Sequence, residues 1–296
     1  MCNMNQAMFL ALCYGDIFDY PMTKKELVRW KINTKSIKTQ ANLGRQISKY
    51  KIINNYYCLE ERTKIVQERK QKEKYSQKKL QIAKRAAGIL QIIPFIKMIG
   101  ITGALAMGNS GRDDDIDFLI ITSAKRLWIV RFLAIILMEL IGKRRRPGEK
   151  NIANKICLNM FLDNNSFLLA ENLRNLYTAH EVCQVIPLFN QHHTYEKFIL
   201  INNWVKKFLP NGIEKQTILI KENTRPTRGI DWKDLLKFFF EPILDLLNYA
   251  FFLIQYAYMK QRITREIVKK EYVFFHPRDT NKHVVGEFNR RIFLSK

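Results

Sequence analysis

The feature that most constrains this chain lies near its middle. Two short apolar runs, Phe95 to Ile101 and Asp117 to Ile121, flank a polar turn that begins at Gly103 and ends at Asp115. Runs of this length bounded by Gly, Asn and Asp read as two strands of one hairpin. Asp115 and Asp117 stand two apart where the second strand starts, so their side chains leave the same face. Ile116, Leu119 and Ile121 divide the remaining positions between the two faces. Carboxylates on one face repel each other unless a cation lies between them. A hard divalent ion with oxygen ligands, Mg²⁺ or Mn²⁺, is the natural occupant. Gly103, following the first strand, lets a phosphate chain approach the backbone. Together these residues describe a site for a metal-bound nucleoside triphosphate.

Other readings of the segment fare less well. Gly103 to Ser110 has the glycine spacing of a P-loop but carries Asn109 where the phosphate-neutralising lysine belongs. An EF-hand loop needs oxygen ligands alternating through twelve residues with a glycine at the sixth, a frame absent here. The plainer alternative is an acidic turn leading into an ordinary strand. The glycine, the spacing and the strand context together favour the metal site.

The segment resembles the metal- and nucleotide-binding hairpin of polymerase-β-type nucleotidyltransferases. In that superfamily a Gly-Ser turn and a short helix precede Asp-x-Asp on the next strand. Gly103-Ala104 matches the Gly-Ser pair, with alanine in place of serine, and Asp115-Ile116-Asp117 matches the aspartates. Asp16 to Pro21 (Asp-Ile-Phe-Asp-Tyr-Pro), Lys155 to Asn159 and Phe275 to Pro277 resemble strings in uncharacterised nucleotidyltransferase-domain proteins. The resemblance implies two metal ions on three carboxylates and transfer of a nucleotide to an acceptor hydroxyl with release of pyrophosphate. It implies catalytic and metal-binding roles for Asp115 and Asp117, and phosphate contacts from Gly103 and Ala104. Asn109 and Ser110 stand in to replace the missing serine hydroxyl. The third ligand is expected on the strand Lys155 to Leu162, which offers Asn159 near its middle and Asp163 at its end. Asp163 serves if the register brings that end to the site. Alanine at 104 and asparagine at 159 also support an alternative: a catalytically degenerate protein that binds nucleotide or nucleic acid as a regulator.

Around this core the expected fold is α+β and mostly helical, in four parts. Residues 1–60 read as a winged-helix-like module: a helix over Asn5 to Ile17, a capping box at Thr23 and Glu26, a third helix over Ser36 to Tyr50, and a hairpin turning at Asn54-Asn55. Residues 61–94 read as a connecting helix whose charges form a solvated face. Residues 95–165 form a small mixed-sheet core, with a helix over Trp128 to Ile141 and a basic loop, Lys143 to Gly148. Residues 166–296 read as a helical bundle, with helices at 167–188, 195–208, 232–270 and 282–294 and an exposed linker over Pro210 to Arg228. Arg112, Lys125 and Arg131 are candidate phosphate partners. Tyr177, Tyr195 and Trp204 suit core packing better than base stacking, and the histidines carry no assigned role.

Charge bears on the acceptor. Fifty Lys and Arg against 27 Asp and Glu give a formal charge of +23. This reads either as a field that attracts polyanions (RNA or DNA, nucleotides, an anionic membrane surface) or as lysines spread over solvated surfaces. Charge alone does not establish RNA or DNA binding. Five scattered cysteines without a C-x-x-C pair suit a reducing cytoplasm rather than a disulfide or zinc framework. The N-terminus lacks the basic region of a signal peptide. The most apolar stretch, Leu235 to Met259, is broken by Lys237, Glu241, Asp245, Asn248 and Gln255. It reads as a helix buried on more than one face, with no membrane insertion.

Overall fold

The computed structural model describes residues 5–36, 50–213, 232–260, 267–274 and 278–294. Asn5 caps the first helix, α1 (Gln6–Asp16), by accepting from Met8 N at 3.0 Å. β1 (Met22–Thr23) leads into α2 (Lys24–Arg29), where Thr23 and Glu26 close the expected capping box. β2 (Tyr50–Ile53) and β3 (Tyr56–Leu59) meet at Asn54-Asn55, both with positive φ (49° and 68°). Two successive left-handed residues are what a tight hairpin turn requires, and Asn tolerates them. These strands form a three-stranded sheet in the order β1-β3-β2. Most of the expected third helix, residues 37–49, lies outside the described residues.

The 26-residue α3 (Ile65–Leu90) then runs to the central sheet. β4 (Ile96–Ile101), the single turn α4 (Gly103–Ala106) and β5 (Ile116–Thr122) form the anticipated hairpin. α5 (Leu127–Leu140) crosses over to β6 (Ile156–Asp163), which lies parallel to β5. The chain continues through α6 (Leu176–Cys183), β7 (Ile186–Asn190) and α7 (Thr194–Ile201). It ends with α8 (Trp232–Lys260), β8 (Ile267–Val268), β9 (Tyr272–Phe274) and α9 (Arg278–Leu294). The six-stranded order is β7-β4-β5-β6-β9-β8, with both parallel and antiparallel pairs. With 53% helix and 17% strand, the fold is α+β with helix predominating.

The C-terminal part departs from an all-helical reading. Ile186–Asn190 pairs with β4, and Tyr272–Phe274 with β6, so residues beyond 166 supply both edges of the central sheet. Such runs are too short for periodicity to separate strand from helix, and Pro187 suits an edge strand. Most of the expected linker (214–231), along with Phe275 to Pro277, lies outside the described residues.

β5 alternates strictly. Leu119 and Ile121 join a core with Phe9 and Leu12 of α1, Val182 of α6 and Phe288 of α9. Phe118 and Ile120 face the opposite core with Ala83 of α3, Trp128 of α5 and Met259 of α8. Asp115 and Asp117 share the parity of Leu119, so they project toward the α1 and α6 side. Asp16, at the end of α1, is buried and paired with Arg62 at 3.1 Å and with Arg291 of α9 at 2.7 Å.

In α8, polar side chains bind the start of α5 beside the apolar packing of Phe251, Phe252 and Met259. Glu241 and Asp245 pair with buried Arg126 at 3.1 and 2.5 Å, and Asn248 Oδ1 accepts from the backbone N–H of Trp128 at 2.9 Å. Gln255 Nε2 donates to Trp128 O at 2.9 Å. These four residues follow helical spacing and grip the start of α5. Phe240, Leu246 and Ile254 are exposed instead, which corrects the expectation of burial on several faces. Among the described residues, no helix is long and apolar enough to cross a membrane.

Candidate metal centre

The site forms where β4 gives way to α4 and β5 begins. Thr102 N donates to Asp117 O at 3.0 Å, closing the hairpin just ahead of Gly103. Gly103 adopts φ +63°, and a Cβ there would stand 2.7 Å from Asp117 Oδ2. Both conditions require glycine: the left-handed backbone and the contact with the carboxylate.

The turn rests on α3. Ser76 Oγ accepts from Ser110 N at 3.0 Å. One turn on, Lys79 is buried and its Nζ donates to the carbonyls of Arg112 (3.2 Å) and Asp114 (2.5 Å) and to Asn154 Oδ1 (3.1 Å). Burial pushes the Lys79 ammonium below its ordinary range, against the pull of Asp114, Asp115 and Asp113. The charge run of α3 is therefore not all solvated. Lys79 ties down the backbone that delivers Asp115, and Arg69, equally buried, pairs with Glu26 at 3.0 Å and Glu73 at 2.9 Å. Periodicity gives no sign of this, because Lys79 lies within a run of similar residues.

Strand register decides the third group. β5 and β6 are parallel, with Asp117 opposite Cys157 and Thr122 opposite Asp163. Asp163 is thus at the far end of the strand from the aspartate pair. Its buried carboxylate accepts from Lys125 N at 2.5 Å and Asn165 N at 2.8 Å, tying the turn that follows β5. The register condition for Asp163 as a metal ligand is not met, and its role is to satisfy local backbone donors. Burial raises its pKa against those hydrogen bonds. The ladder steps past Asn159 between Leu158 and Met160.

Cys157 occupies the position beside Asp117. Ligand atoms of Asp115, Asp117 and Cys157 all lie within 4.8 Å of one another. The two carboxylates suit a hard divalent cation, while the thiol beside them on the same sheet face is a softer donor that suits such an ion less well. Burial, then the charges of Asp117 and Asp115, push the Cys157 thiol well above its usual range. Arg145, from the basic loop, places Nη1 2.6 Å from Asp115 Oδ2 and 3.5 Å from Cys157 Sγ. Neither Cys157 nor Arg145 was singled out by the sequence pattern. Only the pairing of β6 with β5 brings them in.

The other candidates are distributed unevenly. Ala104 is exposed at the start of α4, beside Gly103. Asn109 is buried, with Nδ2 donating to Phe18 O at 2.8 Å and Oδ1 lacking a hydrogen-bond partner. Ser110 is buried, with Oγ 3.4 Å from Asp114 Oδ2. Neither side chain lies open to solvent on the turn. Arg112 is exposed beside the acidic loop. Lys125 pairs with Asp245 at 2.9 Å and lies with Asp163 at the opposite end of β5. Arg131 donates to Gln255 Oε1 at 2.5 Å, and burial lowers its pKa to about 10.

A cavity of about 350 Å³ opens beside Gly103, between the α1–β1 segment and α6, lined in part by Tyr14, Ala104, Asn109, Tyr177 and His180. Tyr14 and His180 stack at 3.9 Å with their planes 7° apart. Burial lowers the His180 pKa to about 3, so the imidazole is neutral at physiological pH. Burial, then Glu181 and Asp117, raise the Tyr177 phenol. No family model, curated protein or solved structure matches this chain.

Proposed function

We propose that the chain is a metal-dependent nucleotidyltransferase that moves a nucleotide from a nucleoside triphosphate to an acceptor hydroxyl, with release of pyrophosphate. The observation that carries this reading is the meeting of Asp115, Asp117 and Cys157 ligand atoms within 4.8 Å, beside a left-handed Gly103. Asp115 and Asp117 would hold a divalent ion, with the Cys157 thiol beside them where the resemblance would place a third carboxylate. A bound ion supplies charge stabilisation for a triphosphate and lowers the pKa of an attacking hydroxyl. The chain's own part is to present the carboxylates on one strand and to keep the Gly103 backbone open to phosphate oxygens. The adjoining cavity has room for a base or a small acceptor. The basic surface and the N-terminal module, read as winged-helix-like, favour an RNA or another polyanion as acceptor.

A second reading has its own support. A thiol in place of a carboxylate and an arginine on Asp115 suit a protein that binds nucleotide without turnover. Two measurements separate the readings. In the first, Mn²⁺-dependent binding of each nucleoside triphosphate is compared between the native chain and the Asp115→Ala, Asp117→Ala double variant; unchanged binding would remove the basis for both. In the second, α-labelled triphosphates are incubated with divalent metal and total cellular RNA or protein. Label transferred by the native chain and lost in Asp117→Ala supports the enzyme. Binding without transfer supports the regulator.

A further inference from the structure

The basic loop after α5 is built to deliver one particular guanidinium to the carboxylates. Gly142 and Gly148 adopt φ +64° and +75° at its two ends. Between them the backbone runs alongside the start of β6: Arg145 N donates to Ile156 O at 2.9 Å, and Ile156 N donates to Lys143 O at 2.7 Å. Extended backbone sends successive side chains to opposite sides. Arg144 and Arg146 accordingly both reach Glu139 of α5, Arg144 at 3.2 Å. Arg145, between them, turns the other way, to Asp115 and Cys157. The loop thus ties two of its arginines to one carboxylate of α5 and turns the third toward the candidate metal centre.

A guanidinium 2.6 Å from Asp115 Oδ2 competes directly with a metal ion for that oxygen. It supplies one positive charge, held by a charge-assisted hydrogen bond, and Asp115 is only 12% exposed while the arginine is more open, so solvent screens the pair in part. The Arg145 side chain itself is 39% exposed and free to swing outward without breaking a core. A triphosphate carries several negative charges and can take the guanidinium through two parallel N–H···O bonds, whereas the contact with Asp115 is a single one.

We infer that Arg145 is a latch on the metal centre: it rests on Asp115, weakens binding of a divalent cation alone, and moves onto phosphate when metal and triphosphate arrive together. Metal and triphosphate then bind with positive coupling, because each relieves the other of the Arg145–Asp115 pair. This rests on the metal-binding part of the proposed function and not on turnover.

The test is Mn²⁺ binding by electron paramagnetic resonance, with and without inorganic tripolyphosphate, for the native chain, Arg145→Gln and Arg145→Lys. The exposed loop position allows these variants to fold, and circular dichroism checks that they do. Arg145→Gln binds Mn²⁺ alone on the order of tenfold more tightly than the native chain, and Arg145→Lys falls between them. Tripolyphosphate tightens Mn²⁺ binding to the native chain by a larger factor than to Arg145→Gln. Equal Mn²⁺ affinities in the native chain and Arg145→Gln overturn the latch while leaving the metal centre intact. Absence of Mn²⁺ binding from all three chains overturns the metal centre itself, and the latch with it.

Discussion

Gly103 and Asp117 are fitted to each other: the Cβ that Gly103 lacks would lie 2.7 Å from Asp117 Oδ2, closer than a carbon and an oxygen can approach. The close fit between the backbone and the carboxylate sets how Asp117 is presented. Gly103→Ala adds a methyl group at that point and also forces a left-handed alanine, which costs about 1–2 kcal/mol for the backbone alone. The variant is expected to lose at least that much stability in urea and to bind Mn²⁺ more weakly, because Asp117 must rotate away. Gly108, also left-handed but with open space around its Cβ position, is the control. Gly108→Ala should lose stability by a similar amount and keep its metal affinity.

Lys79 extends the site one layer deeper. Its ammonium holds two carbonyls of the acidic loop and Asn154. Lys79→Met keeps the buried stem but strands those acceptors, a loss of about 1–3 kcal/mol. Amide hydrogen exchange across residues 111–115 should accelerate in the variant, while exchange in α5 stays unchanged. Equal protection of the loop in both proteins would remove Lys79 from its supporting role.

Asp163 provides the reverse case. Asp163→Ala removes the acceptor of the Lys125 and Asn165 N–H groups in a part-buried turn. The expected cost is about 1 kcal/mol, but Mn²⁺ affinity should not move, since the residue sits at the opposite end of β6 from Cys157. A variant that loses metal along with stability would contradict the register described above.

His180 makes stability depend on acid. Its folded pKa, about 3, lies below the ordinary value of 6.5, so between those limits the unfolded chain binds the extra proton. Stability from this group is therefore complete above pH 6.5 and declines as pH falls toward 3, by roughly 2 kcal/mol at pH 5. His180→Phe retains a ring against Tyr14 but has no proton to gain. Its unfolding free energy should fall less between pH 7 and pH 5 than that of the native protein, as measured by urea titration at each pH.

Local chemistry made much of this molecule readable from its sequence. The two apolar runs, the aspartate pair, the Thr23–Glu26 capping box and the Asn54-Asn55 turn each follow from residues close together in the chain. What could not be read was pairing between distant segments. Whether Cys157, Asn159 or Asp163 stands beside Asp117 depends on the register of β6 against β5, and a parallel pair joined through a helix has no tight turn to set it. Arg145 entered the site through the same register. The strand Ile186–Asn190 was hidden because a five-residue apolar run suits a helix or an edge strand equally until a partner edge is known. Lys79 was hidden for the opposite reason: in a long run of lysines, nothing local marks the one that is buried.

The pairing of Asp16 with Arg62 and Arg291 bears on how the chain comes to fold during its synthesis. Asp16 and Arg291 are 275 residues apart, so during synthesis Arg62 is available to that aspartate long before Arg291 of α9 is made. Until then, the α1 side of the core that Phe288 and Ile292 cover lacks that cover. Elongation at about 5–20 residues per second leaves that surface uncovered for on the order of ten seconds or more, a window in which a chaperone would find it.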